Sequence, residues 1–141
     1  DSSNKKCDFI EEIINKMELC KISVECTRAE SLGISEDREK YDIVLTRALA
    51  KLPTLAELSI GLIKVNGIVV TAKGNFPEAE LNQSKFITNV MGVKKAEIVL
   101  IEEPIYIEND NFVIWKKDFK TPKKYPRRNG MPKKEPIIKK K

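Results

Sequence analysis

Residues 41–72 read YDIVLTRALAKLPTLAELSIGLIKVNGIVVTA, and this stretch decides the fold. Tyr41-Asp42-Ile43-Val44-Leu45-Thr46 carries three consecutive apolar residues, the mark of a strand covered on both faces. Leu52-Pro53 opens a helix, with Pro53 tolerated in its first turn. Leu55, Leu58, Leu62 and Ile63 are expected to face the core, and Gly67 after Lys64 reads as the stop. Ile68-Val69-Val70-Thr71-Ala72 is a second buried strand, ended by Lys73-Gly74. Strand, helix, strand at this spacing is a parallel crossover unit.

Working outward, Ser2 and Ser3 can cap a first helix whose Phe9, Ile10, Ile13, Ile14 and Met17 make one apolar stripe. Lys21–Cys26 is short and alternating, and predicts a strand. Residues 31–40 are polar, contain Gly33 and read as a loop or short irregular helix. Downstream, Pro77–Met91 predicts a helix with Leu81, Phe86, Ile87 and Val90 inward. Ala96–Ile101 and Asn111–Trp115 predict strands, joined through Pro104 and the Asn109-Asp110-Asn111 turn cluster. No helix fits between these two, so they are expected to pair antiparallel. The order implies an α/β fold with a mostly parallel sheet that ends in an antiparallel hairpin.

Composition narrows the function. The 141 residues suit one domain, and no apolar run approaches the roughly 20 residues of a membrane helix. Nothing at the start resembles a signal peptide, so a cytoplasmic protein is expected. There is no histidine, which excludes Ser-His-Asp and Cys-His catalysis within this segment and puts the usual zinc sets out of reach. Cys7, Cys20 and Cys26 lack metal-ligand spacing and are expected to be reduced structural thiols.

The net charge of +5 is divided. Residues 116–141 hold twelve Lys or Arg against Asp118 and Glu135, a net of +10, and residues 1–115 net −5. The division suggests a body at 1–115 and a basic, Pro-rich tail at 116–141, extended and ordered only against a polyanion partner.

Four segments, in order and covering almost the whole chain, resemble one family. They are Asp1-Ser2-Ser3-Asn4-Lys5-Lys6 leading to Phe9-Ile10, then Arg28-Ala29-Glu30, then Tyr41-Asp42 with Thr46-Arg47-Ala48 and Ala72-Lys73-Gly74, and last Lys120 to Arg128 with Gly130, Pro132 and Pro136. The family is the 16S ribosomal RNA guanine-N7 methyltransferase G, also called glucose-inhibited division protein B. The resemblance implies a Rossmann-like class I methyltransferase fold, S-adenosylmethionine as cofactor, and methyl transfer to guanine N7 of 16S ribosomal RNA in the small ribosomal subunit. It places the family's glycine-rich cofactor loop, its first strand and most of its second upstream of Asp1.

By the same resemblance Asp1 looks like the acid that takes the ribose hydroxyls, and Ala29 and Glu30 like the pair beside the adenine. Arg47 looks like the arginine near cofactor and substrate. On the RNA side, Lys73, Lys123, Lys124, Tyr125, Arg127 and Arg128 are candidates, because basic residues contact phosphates and an aromatic ring can stack on a base. Guanine N7 already carries a free lone pair, so no catalytic base is expected. The rival reading is a non-enzymatic RNA-binding module that works through the tail; a dinucleotide oxidoreductase fits the ending hairpin and basic tail less well.

Overall fold

The computed structural model describes residues 1–73, 78–100 and 111–138. The expected turn at Gly74, the helix start at Pro77, the end of a strand at Ile101, the Pro104 and Asn109-Asp110 turn region and residues 139–141 lie outside them. The elements are α1 (Asn4–Lys16), α2 (Ala29–Leu32), β1 (Tyr41–Arg47), α3 (Leu52–Ser59), β2 (Ile63–Lys73), α4 (Glu78–Met91), β3 (Ala96–Leu100), β4 (Asn111–Lys116) and α5 (Met131–Lys134).

The strands form one sheet in the order β1-β2-β4-β3. β1 and β2 run parallel, Ile43 to Arg47 lying beside Ile68 to Ala72. The last two strands pair antiparallel as expected, and β4 also pairs antiparallel with β2. One ladder in three is therefore parallel among the described residues, and the expected mostly parallel sheet is not what this part of the chain shows. Two features account for this: β4 enters the sheet antiparallel to β2, and Lys21–Cys26, expected as a strand, joins no ladder. A strand exists only through a hydrogen-bonded neighbour, and no described strand lies beside it.

The helix after β1 ends at Ser59, and β2 begins at Ile63 instead of Ile68. Gly67 is thus a strand residue rather than a helix stop. A Cβ there would meet the Asp42 carbonyl oxygen at 2.8 Å, where the β1/β2 register shifts between Tyr41 and Ile43. That close approach is what requires glycine.

The core gathers Leu52, Leu55, Ala56 and Ile60 of the α3 region, Ile87 and Met91 of α4, and Val69, Val113 and Trp115 of the sheet. In α4, Phe86 points outward while Ile87 faces in. The α1 stripe is also turned from its expected place. Phe9 is 60% and Met17 63% exposed, and Cys7 is the helix's buried residue. Cys20 and Cys26 are exposed, and all three thiols are free.

The basic tail is ordered against the body, contrary to the extended segment expected. Lys117 is fully buried: its Nζ donates to Glu39 Oε1 at 2.7 Å and to the Ile60 and Ile63 carbonyls at 3.1 and 2.9 Å. Burial pushes its pKa down, against the opposing pull of Glu39. Arg38 donates to the carbonyls of Thr121, Pro122 and Tyr125. Arg127 forks onto Glu57 of α3, and Thr54 of α3 donates to the Pro132 carbonyl at 3.0 Å. Taken in order, these contacts run from the last residue of α4, where Thr121 donates to Met91, back along α3 to its first turn. The tail is a strap that returns to the edge where β1 and β2 end. Charges that seemed free for a partner are paired inside, because a buried charge must find a counter-charge or carbonyls.

Candidate functional site

In an open α/β sheet ligands gather at the C-terminal ends of the parallel strands. Here that edge carries Arg47, the last residue of β1, and Lys73, the last of β2. Arg47, Ala48, Leu49, Ala50, Thr71, Ala72 and Lys73 line a hollow of about 280 Å³. Ala48 sits at φ +51, an unfavourable backbone for alanine that turns the chain sharply off the strand. The Thr46 hydroxyl beneath it is buried without a hydrogen-bond partner among the described residues.

Lys73 is held in place. Its Nζ donates to Glu80 Oε2 at 2.8 Å and to the Ala50 carbonyl at 3.0 Å. The same Glu80 oxygen accepts the Leu52 N–H at 3.0 Å, so α4 caps the start of α3. Burial raises the Glu80 pKa, but the bonds from Lys73 and Leu52 outweigh it and leave the carboxyl below its ordinary value.

A larger cleft of about 860 Å³ runs along the outer edge of β1, lined by Asp1, Arg28, Ala29, Glu30, Val44, Leu45, Thr54 and Lys133 among others. Leu49 and Ala50 line both cleft and hollow, so the two meet there. The cleft therefore brings together Asp1, Ala29 and Glu30, and Arg47 and Lys73 stand in the adjoining hollow.

Asp1 Oδ1 accepts the Ser3 N–H at 3.0 Å, which fixes the carboxylate at the start of α1. Ser3 occupies the N-cap but makes no side-chain cap bond. Glu30 is 4% exposed, and its Oε1 accepts both the Gly130 N–H at 2.8 Å and Arg28 Nη2 at 3.2 Å. Burial pushes this carboxyl up; the Gly130 and Arg28 bonds overcome that and hold it ionised, below the usual carboxylate range. Glu30 is thus a buried, ordered anion joined to the strap.

Of the strap candidates, Lys123 and Lys124 lie away from this edge, whereas Arg128 immediately precedes Asn129 and Gly130, which bond to Ser31 and Glu30. Lys123 and Lys124 are exposed beside residues bound by Arg38, which precedes β1. That end lies a strand length, about 20 Å, from Arg47. Tyr125 is half-buried against the core, with Lys124 Nζ 5.4 Å from its ring centroid. Arg127 is turned inward: its guanidinium makes 2.7–3.1 Å bonds to both Glu57 oxygens and one to the Glu135 carbonyl. The expectation that Arg127 faces RNA gives way to an anchoring role, since Glu57 is 1% exposed and needs a cation. Arg128 is exposed.

Sequence reasoning missed Arg38, Glu39, Glu57 and Lys117, which fix the strap. Glu57 carried a signal, as an acid inside the apolar run LPTLAELS that must be paired if that helix is buried. Lys133 carried none, because only the path of the strap brings it to the cleft.

The geometry defines an α/β protein with a carboxylate-bearing cleft and an adjoining hollow, lined by Arg47 and Lys73, at the ends of two parallel strands. The family model for rRNA small subunit methyltransferase G (GidB) matches residues 1–109. The ribosomal RNA small subunit methyltransferase G of Bacillus cytotoxicus is 39% identical over 140 residues, covering 99% of this chain and 59% of its own length. That of Acetivibrio thermocellus is 39% identical over 138 residues, covering 97% of this chain and 57% of its own. The chain belongs to the rRNA small subunit methyltransferase G family, and it spans a little under three-fifths of these relatives. A solved structure titled as a possible exported protein from Bordetella parapertussis is similar in fold alone, with a TM-score of 0.55 at 15% identity over 84% of this chain and 52% of its own.

Proposed function

We propose that this chain is part of an S-adenosylmethionine-dependent enzyme that methylates guanine N7 of 16S ribosomal RNA, in the small subunit or as free RNA. The observation that carries the reading is family membership combined with one shared cleft for Asp1, Ala29 and Glu30. Carboxylates fit the hydroxyl donors of a ribose, and the Val44, Leu49 and Ala50 wall suits an adenine face. Bound there, the cofactor supplies an electrophilic methyl group on a sulfonium.

Asp1 orients the ribose and Ala29 borders the adenine. Glu30, pinned by Gly130 and Arg28, keeps that side rigid. Arg47 and Lys73 take the substrate's phosphate or carbonyl oxygens and place guanine N7 in line with the methyl carbon. N7 brings its own lone pair, so the protein moves no proton before attack; its work is placement and electrostatics. Arg128, Lys123 and Lys124 remain exposed for RNA phosphates on the outer strap. A purely RNA-binding tail is less well supported, because Lys117 and Arg127 are turned into the body. A ribosomal substrate makes the cytoplasm the working compartment, and no described helix is long and apolar enough to cross a membrane.

The test is transfer of labelled methyl from S-adenosylmethionine to 16S ribosomal RNA and to small subunits by the intact gene product, with the modified base identified. Label at guanine N7 is the expected result. No label on either substrate, from folded protein, overturns the reading.

A further inference from the structure

The strap reaches the cleft with a cation, Lys133. Its last described turn, α5, is tied down beside the cofactor residues at three points. The buried Thr54 hydroxyl donates to the Pro132 carbonyl at 3.0 Å, the Gly130 N–H donates to Glu30 at 2.8 Å, and Asn129 Nδ2 donates to Ser31 Oγ at 3.0 Å. These bonds set Lys133 on the wall of the cleft that holds Asp1, Ala29 and Glu30. Of the lining residues, the acids are Asp1, Glu25 and Glu30, and the basic side chains are Arg28 and Lys133. Arg28 is on Glu30 Oε1, whereas the exposed Lys133 ammonium has no partner among the described residues.

We infer that the strap is a wall of the cofactor cleft and that Lys133 is a ligand-contacting residue, donating a hydrogen bond to an acceptor atom of the adenosine half of the bound cofactor. This rests on the cofactor reading above. Adenosine presents both kinds of group: ribose hydroxyls donate to carboxylates, but the adenine ring nitrogens accept and need a donor. Carboxylates cannot serve those acceptors, and of the two lining cations Lys133 is the one not engaged by a carboxylate, so it can donate to them. It stands on the wall beside Ala29 and Glu30, which suits the adenosine half over the methionine half. The strap's bonds to Glu30 and Thr54 hold that donor in place before the ligand arrives.

The experiment is calorimetric binding of S-adenosylhomocysteine and of methylthioadenosine, which lacks the amino-acid end, to the intact gene product. The variants are Lys133→Ala, Lys133→Arg and the neighbouring control Lys134→Ala, each with its melting temperature. Loss of a charge-assisted bond is expected to weaken both ligands about tenfold in Lys133→Ala, with recovery in Lys133→Arg and no change in Lys134→Ala. Tight wild-type binding with Lys133→Ala unchanged overturns the inference and leaves the cofactor reading standing. Equal weakening in Lys134→Ala, or weakening confined to S-adenosylhomocysteine, overturns the assignment to adenosine. No binding of either ligand by the wild type overturns the cofactor reading itself.

Discussion

The strap, residues 116–138, and the flank formed by α1, Lys21–Cys26 and β1 exchange the places their compositions suggest. The strap is rich in Lys and Pro, yet Lys117, Thr121 and Pro132 are buried. The flank holds the cleanest apolar stripe in the chain, yet Phe9, Met17, Ile22, Ile43 and Leu45 are all more than half exposed. Hydrophobicity states what gains from burial; it does not state what will cover it. The strap is fixed because each inward charge meets a carboxylate or carbonyls. The outer side of the flank stays open because no described element covers it, β1 being joined to the body on its β2 side.

The largest effect that could break this contrast is loss of Glu57. Glu57→Ala strands the Arg127 guanidinium in a half-buried position, and leaving one charge of a buried pair costs about 3–5 kcal/mol. We expect a loss near the lower figure in urea unfolding, because Arg127 keeps 23% side-chain exposure. An unchanged midpoint would mean that the strap adds nothing to stability. Gly92→Ala should come next. Gly92 has φ +109, and a Cβ there would meet the Phe119 carbonyl oxygen at 2.2 Å. The strained backbone and the enforced shift together cost about 2–3 kcal/mol, read in the same unfolding experiment.

A pH titration sharpens the comparison. Burial raises Glu30 and Glu39, but Gly130 and Arg28 for the first, and Lys117 and Thr121 for the second, bring both below their ordinary values. A carboxyl with a depressed folded pKa stabilises fully above the unfolded value of about 4.3, and that contribution disappears as pH falls through the folded value. The melting temperature should therefore hold above about pH 5 and drop below about pH 4. Glu30→Gln should flatten part of the drop, and an unaltered profile would remove Glu30 from the strap's anchoring. The smallest effect belongs to the flank. Phe9→Ser and Met17→Ser in this chain should shift stability by no more than about 0.5 kcal/mol, as exposed positions do. A loss above 2 kcal/mol would show that the stripe is covered in solution.

The fold was legible where apolar pattern and pairing agree. Ile43–Leu45 and Ile68–Val70 announced the parallel pair, and the absence of a helical pattern in the sequence between Ile101 and Asn111 announced the antiparallel pairing of β3 with β4. The helix end at Ser59 was not legible, since Leu62 and Ile63 continue the apolar pattern and the strand takes them for the core. Lys21–Cys26 has a strand's alternation and no neighbour. Asp1, Ala29, Glu30 and Arg47 were singled out through the family resemblance and Lys73 as a candidate phosphate contact, and these residues line an adjoining cleft and hollow. The tail was misread because local sequence does not show which charges turn inward. Arg127 needs Glu57, seventy residues earlier, and Lys117 needs Glu39, seventy-eight earlier.

The most direct test of the account is methyl transfer by the intact gene product carrying Arg47→Ala, on small ribosomal subunits, with its melting temperature measured alongside. Arg47 ends β1 at the proposed transfer edge. Removing a group that positions substrate should lower N7-methylguanine formation about a hundredfold in a variant that remains folded. A folded variant that methylates as fast as the wild type would contradict the placement of the reaction at this edge.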